Sequence, residues 1–296
     1  MRVFMTGATG FIGSALIPEL RKAGHQVLGL SRSDAGAAAL KAAGVDVLRG
    51  DVEQHDILKS GVTQTDATIH LAFNHDFSKF AQNCENDRRA IEAMGDALAG
   101  TKKVFITTSG TGMGKGAVGR PVTEDDDKVS SKEVPRAMSE EAADRVAQKG
   151  VRVGIVCLPQ VHDTKKAGLV TYLIAVAREK GFVAYVGEGK NQWPAAHVSD
   201  VAKLYRLALE KTDGYARYHA VAEEGVGVRE MSEILGKGLK MPVRSISPAE
   251  AQAHFGWMAH FASWDLRASS LKTRKALGWE PTGPKMMQDL EKLEWL

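Results

Sequence analysis

Only two cysteines occur in 296 residues, Cys84 and Cys157. They stand far apart on what read as different elements, so no disulfide framework is present, and no Cys/His spacing suits zinc. No metal is expected, and a reduced, cytoplasmic setting is. Charge of one sign is also scarce. The 39 Lys and Arg against 36 Asp and Glu leave a net +3, too little to argue for nucleic acid or an anionic membrane. No apolar run reaches the length of a membrane span. There is no internal repeat, and the one biased segment is a short Ala-rich run at 35–43. What remains is an ordinary globular composition, 44% apolar and 25% charged. The length suits one large domain or two unequal ones. Residues 1–13 already read as part of the fold, so no signal peptide is expected there.

The most informative stretch is the first. Arg2-Val3-Phe4-Met5-Thr6 reads as a strand, Gly7-Ala8-Thr9-Gly10-Phe11-Ile12-Gly13 as a Gly-x-x-Gly-x-x-Gly turn entering a helix. A helix N-terminus offers unpaired N–H groups and a partial positive charge. Glycines let backbone approach phosphates with no Cβ in the way. Strand, turn and helix in this order predict a dinucleotide pyrophosphate site built from Thr6, Gly7, Thr9, Gly10, Phe11, Ile12 and Gly13.

The first half then alternates. Strands are predicted at 3–6, 25–31, 45–49, 67–72, 103–107 and 151–158. Helices are predicted at 11–23, 35–43, 56–60, 77–98 and 136–149. Apolar strands separated by helices of this length give an α/β fold, a doubly wound parallel sheet with right-handed crossovers. Beyond Pro159 the pattern loosens. Helices at 169–180, 198–210, 228–238, 248–262 and 268–277 alternate with strands at 183–186 and 218–221. The expected division is a dinucleotide-binding domain over 1–162 to which 197–222 return. Residues 163–196 and 223–296 would form a smaller C-terminal substrate-binding cap.

Strand ends carry the next signals. The second strand ends in Ser31-Arg32-Ser33-Asp34, with no carboxylate at the position that would bond a ribose 2′-OH. An arginine between serines suits a 2′-phosphate, so NADP(H) is favoured, while Asp34 leaves NAD(H) open. Asp51 and Val52 after the third strand suit the adenine. Leu71, Ala72 and Phe73 after the fourth let the backbone pass close to the cofactor.

These motifs together resemble the extended short-chain dehydrogenases/reductases, a superfamily of NAD-dependent epimerase/dehydratase type. The resemblance extends to Val104–Gly110, to His197-Val198-Ser199-Asp200-Val201-Ala202 and to Leu277-Gly278-Trp279-Glu280-Pro281. It implies flanking of the nicotinamide by Pro159 and Val161. It also implies a Ser or Thr after the fifth strand that polarises a substrate carbonyl, matched by Ser109, and a Tyr-x-x-x-Lys pair on the next helix. That pair is missing. In the register set by Ser139, Ala143 and Asp144, Arg136 stands at the tyrosine position and Glu140 at the lysine position. The chain therefore reads as an atypical member, with Arg136 and Glu140 four apart and expected to pair. An arginine does not give up a proton at neutral pH, so His75 and His162 are the candidate proton donors. Asn74, Tyr172 and Trp193 are candidate pocket residues.

Three readings follow. The first is an NADP(H)-dependent oxidoreductase acting on a small carbonyl or alcohol. The second is an NADP(H)-binding sensor without turnover. The third is an epimerase or dehydratase. The expected partner is a small-molecule substrate, with no nucleic acid or membrane, and the chain is expected as a monomer or homodimer.

Overall fold

The computed structural model describes residues 1–116 and 119–293. The chain begins with β1 (Arg2–Thr6), α1 (Phe11–Lys22), β2 (Gln26–Ser31), α2 (Asp34–Ala42), β3 (Asp46–Arg49), α3 (His55–Thr63) and β4 (Ala67–His70). It continues through α4 (Phe80–Leu98), β5 (Val104–Gly110), α5 (Met138–Gln148), β6 (Arg152–Leu158), β7 (Gln160–His162), α6 (Val170–Lys180), β8 (Val183–Val186), β9 (Gln192–His197), α7 (Val198–Lys211) and β10 (Tyr215–His219). It ends with β11 (Glu223–Gly227), α8 (Val228–Leu239), β12 (Val243–Ile246), α9 (Pro248–Phe255), α10 (Ala259–Ser263), α11 (Leu271–Leu277) and α12 (Met286–Leu290).

Seven strands form one parallel sheet in the order β10-β6-β5-β4-β1-β2-β3. The doubly wound prediction is correct. Chain direction across the sheet reverses between β1 and β4, and ligands of such sheets bind at that crevice, beyond the strands' carboxyl ends. Both faces are covered, which is why the strands are apolar throughout. Val3 and Met5 point into a core shared with α1 and α7, whereas Phe4 points into one shared with α3, α4 and α5.

A third core lies beyond β6. It gathers Leu173, Ile174, Trp193, Val226, Met231, Leu235, Phe255 and Leu290. It is braced by a three-stranded sheet, β11-β9-β7, and by the pair β12-β8. Leu277 and Trp279 instead pack in the core of the large sheet with α7. Here sequence reasoning was less accurate. It missed β7, β9, β11, β12 and α12, which are short and lack a long period. It placed β10 three residues too late at its start. The helix predicted over 248–262 breaks at Gly256, whose φ of +55° lies in the left-handed region. No helix among the described residues is long and apolar enough to cross a membrane.

Candidate active site

The first turn closes against the end of β4. Gly7 has φ +66°, and a Cβ there would sit 2.7 Å from the amide nitrogen of Ala72 and 2.8 Å from the carbonyl carbon of Leu71. A Cβ on Gly13 would sit 2.2 Å from the Gly7 carbonyl oxygen. Both positions therefore require glycine. Gly10 caps α1 with no side-chain hydrogen bond, and the first turn of the helix holds no acidic residue. The helix end is thus a concave, uncapped row of amides that fits a pyrophosphate. Thr9 and Gly10 are exposed, Phe11 and Ile12 half-buried. The Lys166 ammonium lies 5.7 Å from the centre of the Phe11 ring, adding a positive charge over this end of the helix. Sequence reasoning did not single out that lysine.

At the end of β2 the hydroxyls are spent within the loop. Ser31 donates to the Ser33 carbonyl (3.1 Å), and the Ser33 side chain accepts from the Gly36 amide (3.1 Å) to cap α2. Of the two arginines here, only Arg32 is mostly free of the loop. Arg32 is mostly exposed and lies 3.8 Å from the Asp51 carboxylate. Arg49, missed in the sequence, donates to the Ser33 and Arg32 carbonyls and pairs with Asp34 at 2.9 Å. Asp34 is held on the outer side by that pair. Asp51 accepts from the Glu53 amide at 3.2 Å, closing a tight turn. Arg32, Arg49, Asp51, Val52 and Asn74 line one cavity of about 680 Å³. Asn74 thus lies beside the ends of β2 and β3. Its side chain accepts from the Asp76 amide (3.1 Å) in its own loop.

A buried polar chain runs from the first turn to the end of β5. The Ala72 amide donates to Thr6 Oγ1 (3.2 Å), which lies 2.6 Å from His70 Nδ1. His70 Nε2 lies 2.9 Å from Asp87 Oδ1. The other Asp87 oxygen accepts from Arg136 (2.9 Å) and from the Ser139 hydroxyl. Arg136 also donates to the Thr108 carbonyl at 3.1 Å, and its guanidinium lies 4.3 Å from the centre of the Phe73 ring. Burial pushes the Asp87 carboxyl up, but Arg136 and the His70 and Ser139 hydrogen bonds outweigh it and hold the group down at about 2. The expected Arg136–Glu140 pair does not form. Arg136 lies in a 3₁₀ turn, Pro135–Ala137, ahead of α5, so the helical four-residue spacing does not apply to it.

Glu140 goes elsewhere. It is buried, and its Oε1 accepts from the Ser109 hydroxyl at 2.5 Å. The hydroxyl expected to polarise a carbonyl therefore has its hydrogen on a carboxylate. Thr108 turns to the other face, where its hydroxyl lies 2.7 Å from both the His70 carbonyl and the Tyr205 hydroxyl.

The two candidate histidines separate. His75 keeps over a third of its surface open, yet its ring meets Phe73 edge-on at 5.3 Å. Desolvation, then the charge of Arg136, lowers its pKa below the usual 6.5, so it is neutral at pH 7. His162 has no exposed surface, and its Nδ1 lies 2.7 Å from Asp289 in α12. It is a core histidine, closed off from a substrate. Pro159 is buried where β6 gives way to β7, and Val161 joins the core under the large sheet. Trp193 is also fully buried, with its indole N–H on the Phe261 carbonyl at 3.2 Å, so it packs the smaller core. Tyr172 is half-buried. It packs edge-on against Phe77 (5.4 Å) and Trp257 (5.1 Å), which stack on each other at 4.0 Å.

The family model for the NAD dependent epimerase/dehydratase family matches residues 3–221. Uncharacterized proteins of Schizosaccharomyces pombe and Saccharomyces cerevisiae are 45% and 41% identical, each over 98% of this chain and 98% of its own. A 4-hydroxy-2-methyl-3-oxo-4-farnesyl-3,4-dihydroquinoline-1-oxide ketoreductase of Stigmatella aurantiaca is 26% identical over 86% of this chain and 80% of its own. Among solved structures, a UDP-glucuronic acid 4-epimerase of Bacillus cereus, in complex with UDP-glucuronic acid and NAD, superposes with a TM-score of 0.76 at 18% identity. That match covers 99% of this chain and 98% of the other.

Proposed function

This chain belongs to the NAD-dependent epimerase/dehydratase family, and from that premise we propose that it is an NADP(H)-dependent oxidoreductase acting on a small carbonyl or alcohol. The cofactor, when bound, supplies or accepts a hydride at the nicotinamide. The protein's own part is to bind, orient and manage charge. The amides of Phe11, Ile12 and Gly13 would hold the pyrophosphate, with Lys166 above them. Arg32 and Arg49 would hold a 2′-phosphate. β2 ends in a serine and Asp34 is drawn off by Arg49, so little there competes for a ribose hydroxyl.

The observation that carries the reading is the pairing of Ser109 with the Arg136 contact at Thr108, a hydroxyl and a fixed guanidinium at adjacent residues of β5. Arg136 would stabilise negative charge on a carbonyl oxygen, and the Ser109 hydroxyl would orient it when Glu140 carries a proton and no longer takes the Ser109 hydrogen. Arg136 cannot supply the proton. The test is NADPH oxidation with a panel of aldehydes and ketones, and NADP⁺ reduction with the matching alcohols. Turnover with a substrate of either kind is the expected result. Intact NADP(H) binding with no turnover across the panel would favour a sensor instead. The Ser109 hydrogen bond to Glu140 is the specific observation behind that second reading.

A further inference from the structure

We propose that Glu140 governs the substrate's proton, acting through Ser109. This rests on the oxidoreductase reading. Glu140 uses one oxygen to take the Ser109 hydrogen. Its other oxygen, Oε2, is buried and has no hydrogen-bond partner among the described residues. Two cations face it outside hydrogen-bonding geometry, Arg217 Nε at 3.4 Å and Lys128 Nζ at 4.0 Å. A carboxylate kept for structure alone normally has both oxygens satisfied. This one has a hydroxyl on Oε1 and, on Oε2, two cations at ion-pair distance but no hydrogen bond.

Glu140 itself is buried, but the two cations beside its Oε2, Lys128 and Arg217, reach a surface cavity. Lys128, Asp144, Tyr215 and Arg217 line a surface cavity of about 640 Å³. Lys128 is bonded to Asp144, and the Tyr215 hydroxyl donates to Asp144 at 2.8 Å. The charged and titratable groups around Glu140 are therefore Lys128 from the loop before α5, Asp144 on α5, Cys157 on β6 (3.9 Å), and Arg217, Tyr215 and the buried His219 on β10. Burial pushes the Cys157 thiol far up, so it stays protonated and does not compete for the proton.

In alcohol oxidation a bound oxidised nicotinamide would supply the acceptor for the hydride lost from the substrate C–H bond. The substrate O–H bond breaks as its proton passes to Ser109 Oγ, whose own proton passes to Glu140 Oε1. Glu140 then gives the proton up to solvent on the side of Lys128 and Arg217, the neighbours of its Oε2 that line the cavity. Carbonyl reduction runs the same path backwards, with reduced nicotinamide as the hydride source. Ser109 is then the catalytic residue and Glu140 the positioning and proton-holding residue behind it. A Ser–Glu relay of this kind needs neither a tyrosine nor a lysine.

The experiment uses the intact chain and Glu140→Gln, which keeps an acceptor for Ser109 but cannot hold the proton. Ser109→Ala is the second variant. The first readout is independent of turnover. Acetate, as a mimic of the substrate alkoxide, is titrated into NADP⁺-loaded protein in buffers of different ionisation enthalpy. Wild type should take up about one proton per acetate bound as Glu140 is neutralised, and neither variant should. The second readout is the pH dependence of kcat. Each variant should lose about a hundredfold or more in kcat together with the pH-dependent limb, and the double variant should lose no more than either single one. Proton uptake in Glu140→Gln equal to wild type, or none in wild type, overturns the relay. So does an unchanged pH limb in a variant that turns over. Absence of wild-type turnover with cofactor binding intact counts against the oxidoreductase reading, and the acetate titration then still decides the relay.

Discussion

Asp87 is the residue on which the site's geometry turns. It joins His70, Ser139 and Arg136 in one buried cluster, and no sequence motif announces it. Asp87→Ala would leave the Arg136 charge largely buried without a counter-charge, a change that costs about 3–5 kcal/mol. Chemical unfolding should show a loss of that size. A carboxyl held below its unfolded value stabilises the fold above that value, and the contribution is lost as pH falls through the folded value. Wild type should therefore lose roughly 2 kcal/mol as pH drops from about 4 towards 2, and Asp87→Asn should lack this component in urea titrations across that range. Arg49 allows a second test at this scale. A charge-assisted bond to a 2′-phosphate contributes roughly 1.5–3 kcal/mol, so Arg49→Ala should weaken NADP(H) binding about ten- to a hundredfold and leave NAD(H) binding nearly unchanged. Equal loss for both cofactors would place Arg49 in loop structure alone. His75 is neutral at pH 7 and sits among aromatic rings, so His75→Ala should raise KM while leaving the pH limb of kcat in place.

Among elements, the β1–α1 turn carries the account. It was legible in the sequence because three glycines at fixed spacing reflect three close backbone approaches. Two of those are measured here as sites where a Cβ would collide with main chain. Gly7→Ala would force a left-handed residue costing about 1–2 kcal/mol and push the end of β4 away. The melting temperature should fall, and NADPH affinity should drop further than the stability loss explains. The long periodic elements of the first half were legible for the same kind of reason, since both faces of the sheet are covered. The environment of α5 was not. The sequence put Arg136 and Glu140 on one helix, whereas Arg136 lies in a 3₁₀ turn ahead of α5 and the choice of partners depends on tertiary contacts with α4 and β5. Likewise His162 and Trp193 looked like site residues because chemistry-bearing types near a strand end draw attention. Burial decided otherwise.

Across the whole molecule, rings bridge the segment after β4 and the smaller core. Phe77 stacks on Trp257, and Tyr172 packs edge-on against both. Contacts of this kind contribute about 0.5–1.5 kcal/mol each, so Trp257→Ala should change global stability little. It should raise KM for substrate more than it lowers kcat, and increase proteolytic cutting near residue 257 unless NADPH is present. The smaller core was the least legible part of the chain, because its short strands pair across long sequence separations and only the finished packing selects them. The central claim is that the crevice between β1 and β4 holds a phosphorylated nicotinamide dinucleotide. Calorimetric titration of the folded chain with NADPH and with NADH tests it most directly. Saturable binding, tighter for NADPH and weakened by Gly7→Ala, is the expected result. No binding of either dinucleotide at millimolar concentration by a protein that melts cooperatively would contradict it.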